Sequence, residues 1–278
     1  MALVFTTDDS DLDEQSGLAE YRGNVLSGKA AMQQAGINRI VLGPKEGLAI
    51  TNGATFSAAL AALNLVDALY LVEVGELATA MSLEALLGCS AAFDERLHKA
   101  RRQSGQITSA EKIRRFIEGS TLVDSNSRVQ DAYSLRCAPQ VIGAVRDTIQ
   151  FGWAIIDNEV NAATDNPLLF DSGIAISGGN FHGEPVGLVM DYLGIAMAEL
   201  GAISERRVYR MTDGKLNDGL PPMLVDSDAS AGLNSGLMMP QYTAVSLVLE
   251  NETLASPDSV HSLPTSGSQE DHNANAMT

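Results

Sequence analysis

Between Ala58 and Leu87 the sequence is dominated by Ala, Leu, Val and Met, with few helix breakers and only scattered polar residues such as Asn64 and Asp67. Such a run reads as one long helix, apolar nearly all round. A helix of that kind has to be buried among other helices. Asn64 and Asp67 interrupt the apolar stretch, so it reads as core helix in place of a membrane span. This helix sets the scale for the rest of the fold.

Other segments repeat the texture. Pro139 suits the first turn of a helix over Gln140 to about Ala163, because its missing N–H is not needed there. Further helices are expected over Pro185–Tyr209 and Met238–Leu254. Thr108-Ser109-Ala110-Glu111 matches a capping box and predicts a helix from there to Ile117, stopped by Gly119. Asp165-Asn166-Pro167 reads as a turn, and 168–170 with 174–176 as a small hairpin around Asp171-Ser172-Gly173. Short strands are expected around a helix at Gly28–Gln34, with Pro44 closing that segment. The expected fold is therefore all-α: an elongated bundle of long antiparallel helices with a small β/loop region near the N-terminus. Its organisation reads as an acidic flexible tail over 1–17, a small β/α lead-in over 18–45, and a helical-bundle domain over 46–278.

Hydrophobic residues make up 45% of the 278 and charged residues 19%, which suits a soluble chain with a large buried volume. The net charge of −17 offers no basic surface for phosphates and argues against nucleic acid. Much of the acid is local, in Asp8, Asp9, Asp11, Asp13 and Glu14, and reads as a solvated tail. Cys89 and Cys137 form no disulfide framework and lack metal-ligand spacing, so a reducing, cytoplasmic setting is expected. No zinc motif, phosphate loop or dinucleotide fingerprint occurs. Residues 1–17 do not have the pattern of a signal peptide.

Four loop clusters stand out. Thr51-Asn52-Gly53 precedes the long helix; its plain reading is a turn or cap, its functional one an amide for a substrate carboxylate. Arg128 to Cys137, if helical, sets Gln130, Tyr133 and Arg136 three apart on one wall, with Arg136 as a bidentate partner for a carboxylate. An exposed polar helix face is the plainer account. Ser177 to Pro185 contains paired glycines that permit close backbone approach, Phe181 for stacking on a flat ring, and His182 as an acid or base or a structural histidine. Thr265 to His272 is a polar run in which Gln269, Glu270 and His272 either cap and solvate or bind a polar substrate and move protons.

In order along the chain, Lys45-Glu46-Gly47-Leu48, Asn52-Gly53, 129–137, Thr164-Asp165-Asn166-Pro167-Leu168, 177–182, Ser204-Glu205-Arg206-Arg207, Asn234-Ser235-Gly236 and Gln269 to His272 resemble the histidine and aromatic amino-acid ammonia-lyases and related aminomutases. The likeness covers roughly residues 18–278. It implies removal of ammonia and a proton from adjacent carbons of an amino acid. The amine is a poor leaving group and the β-proton is weakly acidic, so an electrophile and a strong base are both required. The family's electrophile is methylidene-imidazolone, formed from an internal Ala-Ser-Gly.

By the same resemblance Asn52 orients that group and Phe181 packs against it or the substrate ring. Arg136 binds the substrate carboxylate, Tyr133 and Gln130 hydrogen-bond around the reacting centre, and Glu270, beside Gln269, meets the substrate side chain or amine. The run from Gln269 to His272 favours L-histidine, giving urocanate, because a carboxylate can hydrogen-bond an imidazole nitrogen. Val141-Ile142-Gly143 points the other way, toward a phenylalanine or tyrosine lyase or an aminomutase. The implied partners are the amino-acid substrate and a homo-oligomer, a tetramer with sites built from several subunits, or a complementing chain; membrane and nucleic acid are not expected.

No Ala-Ser-Gly occurs in the chain; Ala229-Ser230-Ala231-Gly232 has an extra residue and Thr265-Ser266-Gly267 belongs to the fourth cluster. The electrophile and a tyrosine base are therefore expected from outside this sequence, which reads as part of a longer enzyme. A truncated product, a complementing subunit, and a non-catalytic helical assembly protein are the other readings.

Overall fold

A computed structural model of the chain describes residues 2–7, 15–171, 173–226 and 232–276. In chain order the elements are α1 (Ala2–Phe5), β1 (Thr6–Thr7), β2 (Leu18–Tyr21), β3 (Asn24–Ser27), α2 (Gly28–Ala35), β4 (Ile40–Val41), α3 (Glu46–Thr51) and α4 (Thr55–Ala85). There follow α5 (Glu95–Arg101), α6 (Ser104–Phe116), α7 (Tyr133–Arg136), α8 (Ala138–Val160), β5 (Leu168–Leu169), β6 (Ala175–Ile176), α9 (Glu184–Thr212) and α10 (Met238–Leu254). The mainly helical class, the N-terminal strands, the small hairpin and the long helices agree with the reading of the sequence. They form two compact units, residues 1–55 with 163–182, and residues 56–162 with 183–278.

In the first unit β2 and β3 form an antiparallel hairpin, and β1 pairs in parallel with β4. Ser27 Oγ caps α2 by accepting from Ala30 N, and Gly36 ends it at φ 69°, a left-handed conformation that glycine adopts without strain. Within the segment read as a tail, α1 and β1 take part in this unit and Ser16 is fully buried. Asp8, Asp9, Asp11, Asp13 and Glu14 lie outside the described residues.

The second unit is the helical body. Glu76 of α4 faces Arg146 of α8, and the α-carbon face of Gly152 in α8 lies against Leu65 of α4 and Val189 of α9. These pairings run α4 antiparallel to α8, and α9 does the same, with Val189 at Gly152 and Arg207 reaching Ser134 just before α8. Its core is built from Leu65, Val72, Leu83, Ile142, Ile149 and Val186, all nearly inaccessible. α6 crosses α8 so closely that a Cβ on Gly143 would lie 2.3 Å from Gln106 N.

Two expectations are corrected here. α4 is not buried on every side: its inward stripe is Ala58, Ala61, Leu65, Ala68, Val72, Glu76, Thr79 and Leu83, while Leu63, Val66, Tyr70, Leu77 and Met81 are exposed. The stripe follows helical spacing because this chain supplies neighbours on one side only. The capping box at Thr108 and Glu111 does not start α6, which begins at Ser104. Asp147 of α8 accepts from Gly105 N at 2.8 Å and Ser104 Oγ at 3.0 Å, so a distant carboxylate does the capping. Thr108 Oγ1 instead donates to Ser104 O within the helix.

Residues 46–85 and α9 are long and apolar enough to cross a membrane. Each nonetheless carries charge on its inward side, Glu76 in the first and Glu205 and Arg207 in the second. Their buried stripes pack within a helical body, as core helices do.

Candidate functional site

The first unit brings together two of the four clusters. Asn52 follows the last turn of α3, where its N–H donates to Leu48 O. Its side-chain Nδ2 donates to Asp165 Oδ1 at 2.9 Å. Asp165 also accepts from Asn166 N at 2.7 Å and pairs with Lys45. The Lys45 ammonium, then the Asn52 amide and the Asn166 N–H, hold the Asp165 carboxyl down to about 2. Gly53, at φ 84°, packs so tightly that a Cβ would lie 2.5 Å from Thr164 O. Asn52 is therefore a cap, as its plain reading holds, and also an amide with a fixed orientation.

The third cluster hangs from the same turn. Asn180 Nδ2 donates to Ala163 O, and Asn166 Oδ1 accepts from Gly178 N at 2.8 Å and Ser177 Oγ at 3.0 Å. The Asn166–Pro167 peptide is cis. Phe181 keeps about 40% of its surface, and His182 N donates to Gly179 O. In the sequence Lys45 belongs only to a matching segment, and Asp165 to a matching segment and a turn. Each stands near a proline, Lys45 just after Pro44 and Asp165 two residues before Pro167, but nothing local says that they meet.

In the second unit the second cluster is not one continuous helix. Residues 128–132 are irregular, with Ala132 extended, and only Tyr133–Arg136 turns as α7. Gln130 is exposed on the approach and does not share a helical face with the other two, because Asp131 is drawn inward at that point. Tyr133 and Arg136 do come together: the guanidinium carbon lies 4.6 Å from the ring centroid, with 70% of Tyr133 accessible. Beneath them Arg207 of α9 is fully buried and Nη1 donates to Ser134 O at 3.4 Å. Burial pushes Arg207 down to about 10, still cationic at neutral pH.

The fourth cluster forms a tight turn. Thr265 and Glu270 pair across a 3-10 turn at Ser266–Ser268, and Glu270 Oε2 accepts from Thr265 Oγ1 at 2.5 Å and Ser266 Oγ at 2.9 Å. Those two hydroxyls lower the Glu270 carboxyl below the usual range. It is thus an anion built to accept hydrogen bonds and a poor proton acceptor at neutral pH. Gln269 is exposed beside it. Among the described residues no hydrogen bond joins Glu270 to Tyr133 or Arg136.

These residues suit the electrophile that the family resemblance implies. With Nδ2 committed to Asp165, the Asn52 carboxamide presents its oxygen as the remaining polar atom. The Phe181 ring, partly open, offers a face to a planar group.

The chain is similar to proteins already described. A family model described as aromatic amino acid lyase matches residues 15–278. A protein named histidine ammonia-lyase from Caldanaerobacter subterraneus subsp. tengcongensis is 51% identical over 92% of this chain and 50% of its own length. Among solved structures, histidine ammonia-lyase from Trypanosoma cruzi superposes with a TM-score of 0.81 at 38% identity, covering 94% of this chain and 49% of that one. A phenylalanine aminomutase from Pantoea agglomerans gives 0.86 at 31% identity, covering 98% and 55%. The chain spans about half the length of the curated relatives that it matches. It belongs to the aromatic amino acid lyase family.

Proposed function

We propose that this chain supplies the substrate-holding walls of a histidine ammonia-lyase, which eliminates ammonia from L-histidine to give urocanate. The observation that carries the proposal is the 51% identity to a protein of that name over nearly the whole chain. Phenylalanine and tyrosine chemistry is less favoured, since the aminomutase neighbour is 31% identical.

The roles follow from the chemistry of each group. Arg136 binds the substrate carboxylate through a two-pronged guanidinium contact, and the Tyr133 ring beneath it restricts the arginine's freedom. Gln130 supplies an amide from the loop leading into that turn. Glu270, held anionic, accepts a hydrogen bond from the imidazole N–H or the amine, with Gln269 alongside. Asn52 orients the reacting group through an amide fixed by Asp165, and Phe181 covers it. Methylidene-imidazolone, when present, supplies the electrophile that turns the amine into a leaving group. The exposed apolar side of α4 supports assembly with further copies, a tetramer by resemblance, since apolar surface of that extent is normally covered. Cys89 and Cys137 are free thiols, which supports a cytoplasmic setting.

The test is steady-state kinetics of Arg136→Ala in the assembled, active protein, followed by urocanate absorbance. KM for histidine should rise by about one to two orders of magnitude and kcat should also fall. An unchanged KM removes Arg136 from the carboxylate site.

A further inference from the structure

Asp131 is the one carboxylate within the second cluster, its side chain is only 1% exposed, and the roles above leave it unused. Its Oδ2 accepts from Cys89 N at 2.6 Å, and its Oδ1 lies 3.0 Å from Arg128 Nη2. The same Arg128 Nη2 donates to Leu86 O at 2.6 Å and Leu87 O at 2.8 Å, the carbonyls left open where α4 ends. Asp218 pairs with the other side of the guanidinium. Asn126 joins in, donating to Leu87 O and accepting from Arg128 N at 2.6 Å. Gly88 leaves room for this contact: a Cβ there would stand 3.2 Å from Asp131 Oδ2 and 2.5 Å from Leu83 Cδ2.

The next residue carries the effect to the binding turn. Ala132 O accepts from Arg136 N at 3.0 Å and Leu135 N at 3.1 Å, so the carbonyl following Asp131 opens α7. A helix of four residues has little stability of its own and takes its place from what holds its ends. Arg207 holds the Ser134 carbonyl from below. The beginning of the turn is held by Asp131.

We propose that Asp131, locked by Arg128 onto the end of α4, is a positioning residue for Arg136 and Tyr133, setting where the guanidinium meets the substrate carboxylate. Its consequence for kinetics rests on the histidine ammonia-lyase reading. The rigid end of the longest helix thus serves as the reference point for the binding group, which a short turn could not fix unaided.

Two measurements test this on Asp131→Ala, with Asp131→Asn and Arg128→Lys as milder variants should the first fail to fold. Amide hydrogen exchange should be at least about tenfold faster over 132–137, with α8 and α9 unchanged. In the active protein, KM for histidine should rise on the order of tenfold, while competitive inhibition by histamine, which has the imidazole but no carboxylate, stays the same. A general loss of structure would weaken both ligands. Unchanged exchange over 132–137 in a folded variant, or equal weakening of histidine and histamine, overturns the proposal. If the unaltered protein releases no ammonia from histidine, the functional reading fails, and the exchange measurement alone decides whether Asp131 anchors the turn.

Discussion

Replacing Arg146 by methionine would leave Glu76 in the middle of α4 with no access to water. Arg146 now donates from Nε and Nη2 to the two Glu76 oxygens, both at 2.7 Å, and Glu76 is 0% exposed. Breaking such a pair from one side costs about 3–5 kcal/mol, because the remaining charge is buried without compensation. The carboxylate has one escape, which is to take up a proton. For a carboxyl of ordinary reference pKa that costs about 3.7 kcal/mol at pH 7 and about 1 kcal/mol at pH 5. Arg146→Met should therefore destabilise by about 3–4 kcal/mol at pH 7, and by markedly less at pH 5. Glu73, which Lys112 and more weakly Arg146 hold below its usual range, is mostly exposed and adds little. The double variant Glu76→Leu, Arg146→Met should recover most of the loss, since an apolar pair needs no compensation. Urea unfolding at the two pH values measures all three proteins. A penalty independent of pH, or a double variant no better than the single one, would refute the idea that an orphaned carboxylate is the cause.

Asp165→Ala should lower kcat on the order of tenfold with a smaller change in KM, because Asn52 loses its fixed acceptor while Arg136 is untouched. The acid limb of stability gives a second readout. Since Asp165 is depressed to about 2, its contribution is complete above about 3.8 and lost as pH falls through 2, so acid titration of the variant should lack that component. Gly143→Ala should cost about 1–3 kcal/mol or more in thermal unfolding, because the added methyl meets the backbone of Gln106, which cannot swing aside. A shift within about 0.5 kcal/mol would show that α6 yields there.

The long helices were legible because each announces itself locally. The sequence pattern bounds α10 at Met238–Leu254, and the structure has it there. Pro139 does stand in the first turn of α8. What failed was whatever depends on a remote partner. The start of α6 is set by Asp147 from α8, and a local capping pattern at Thr108 pointed four residues too late. Counting in threes puts Gln130 on a helical wall, but Asp131 is held by Cys89 N and the helical turn begins only at Tyr133. For the candidate site, the residue types of all four clusters were readable, and so was the pairing of Tyr133 with Arg136. The supports were not: Asp165 lies 113 residues from Asn52, and Asp131, close to Arg136 in sequence, is itself anchored by Cys89, 42 residues earlier; spacing is silent about such pairs.

The discontinuous first unit has a consequence for biosynthesis. Lys45 and Asn52 take their places from Asp165, which lies 120 and 113 residues further on. On the ribosome α4, α6 and α8 have all been synthesised before that carboxylate is made. During that interval Lys45 and Asn52 have no fixed geometry, however complete the hairpin beside them. Contacts that close loops of this length come late, after the entropy of the intervening chain has been overcome. The Asn52 loop is therefore finished by a passage of sequence translated long after it.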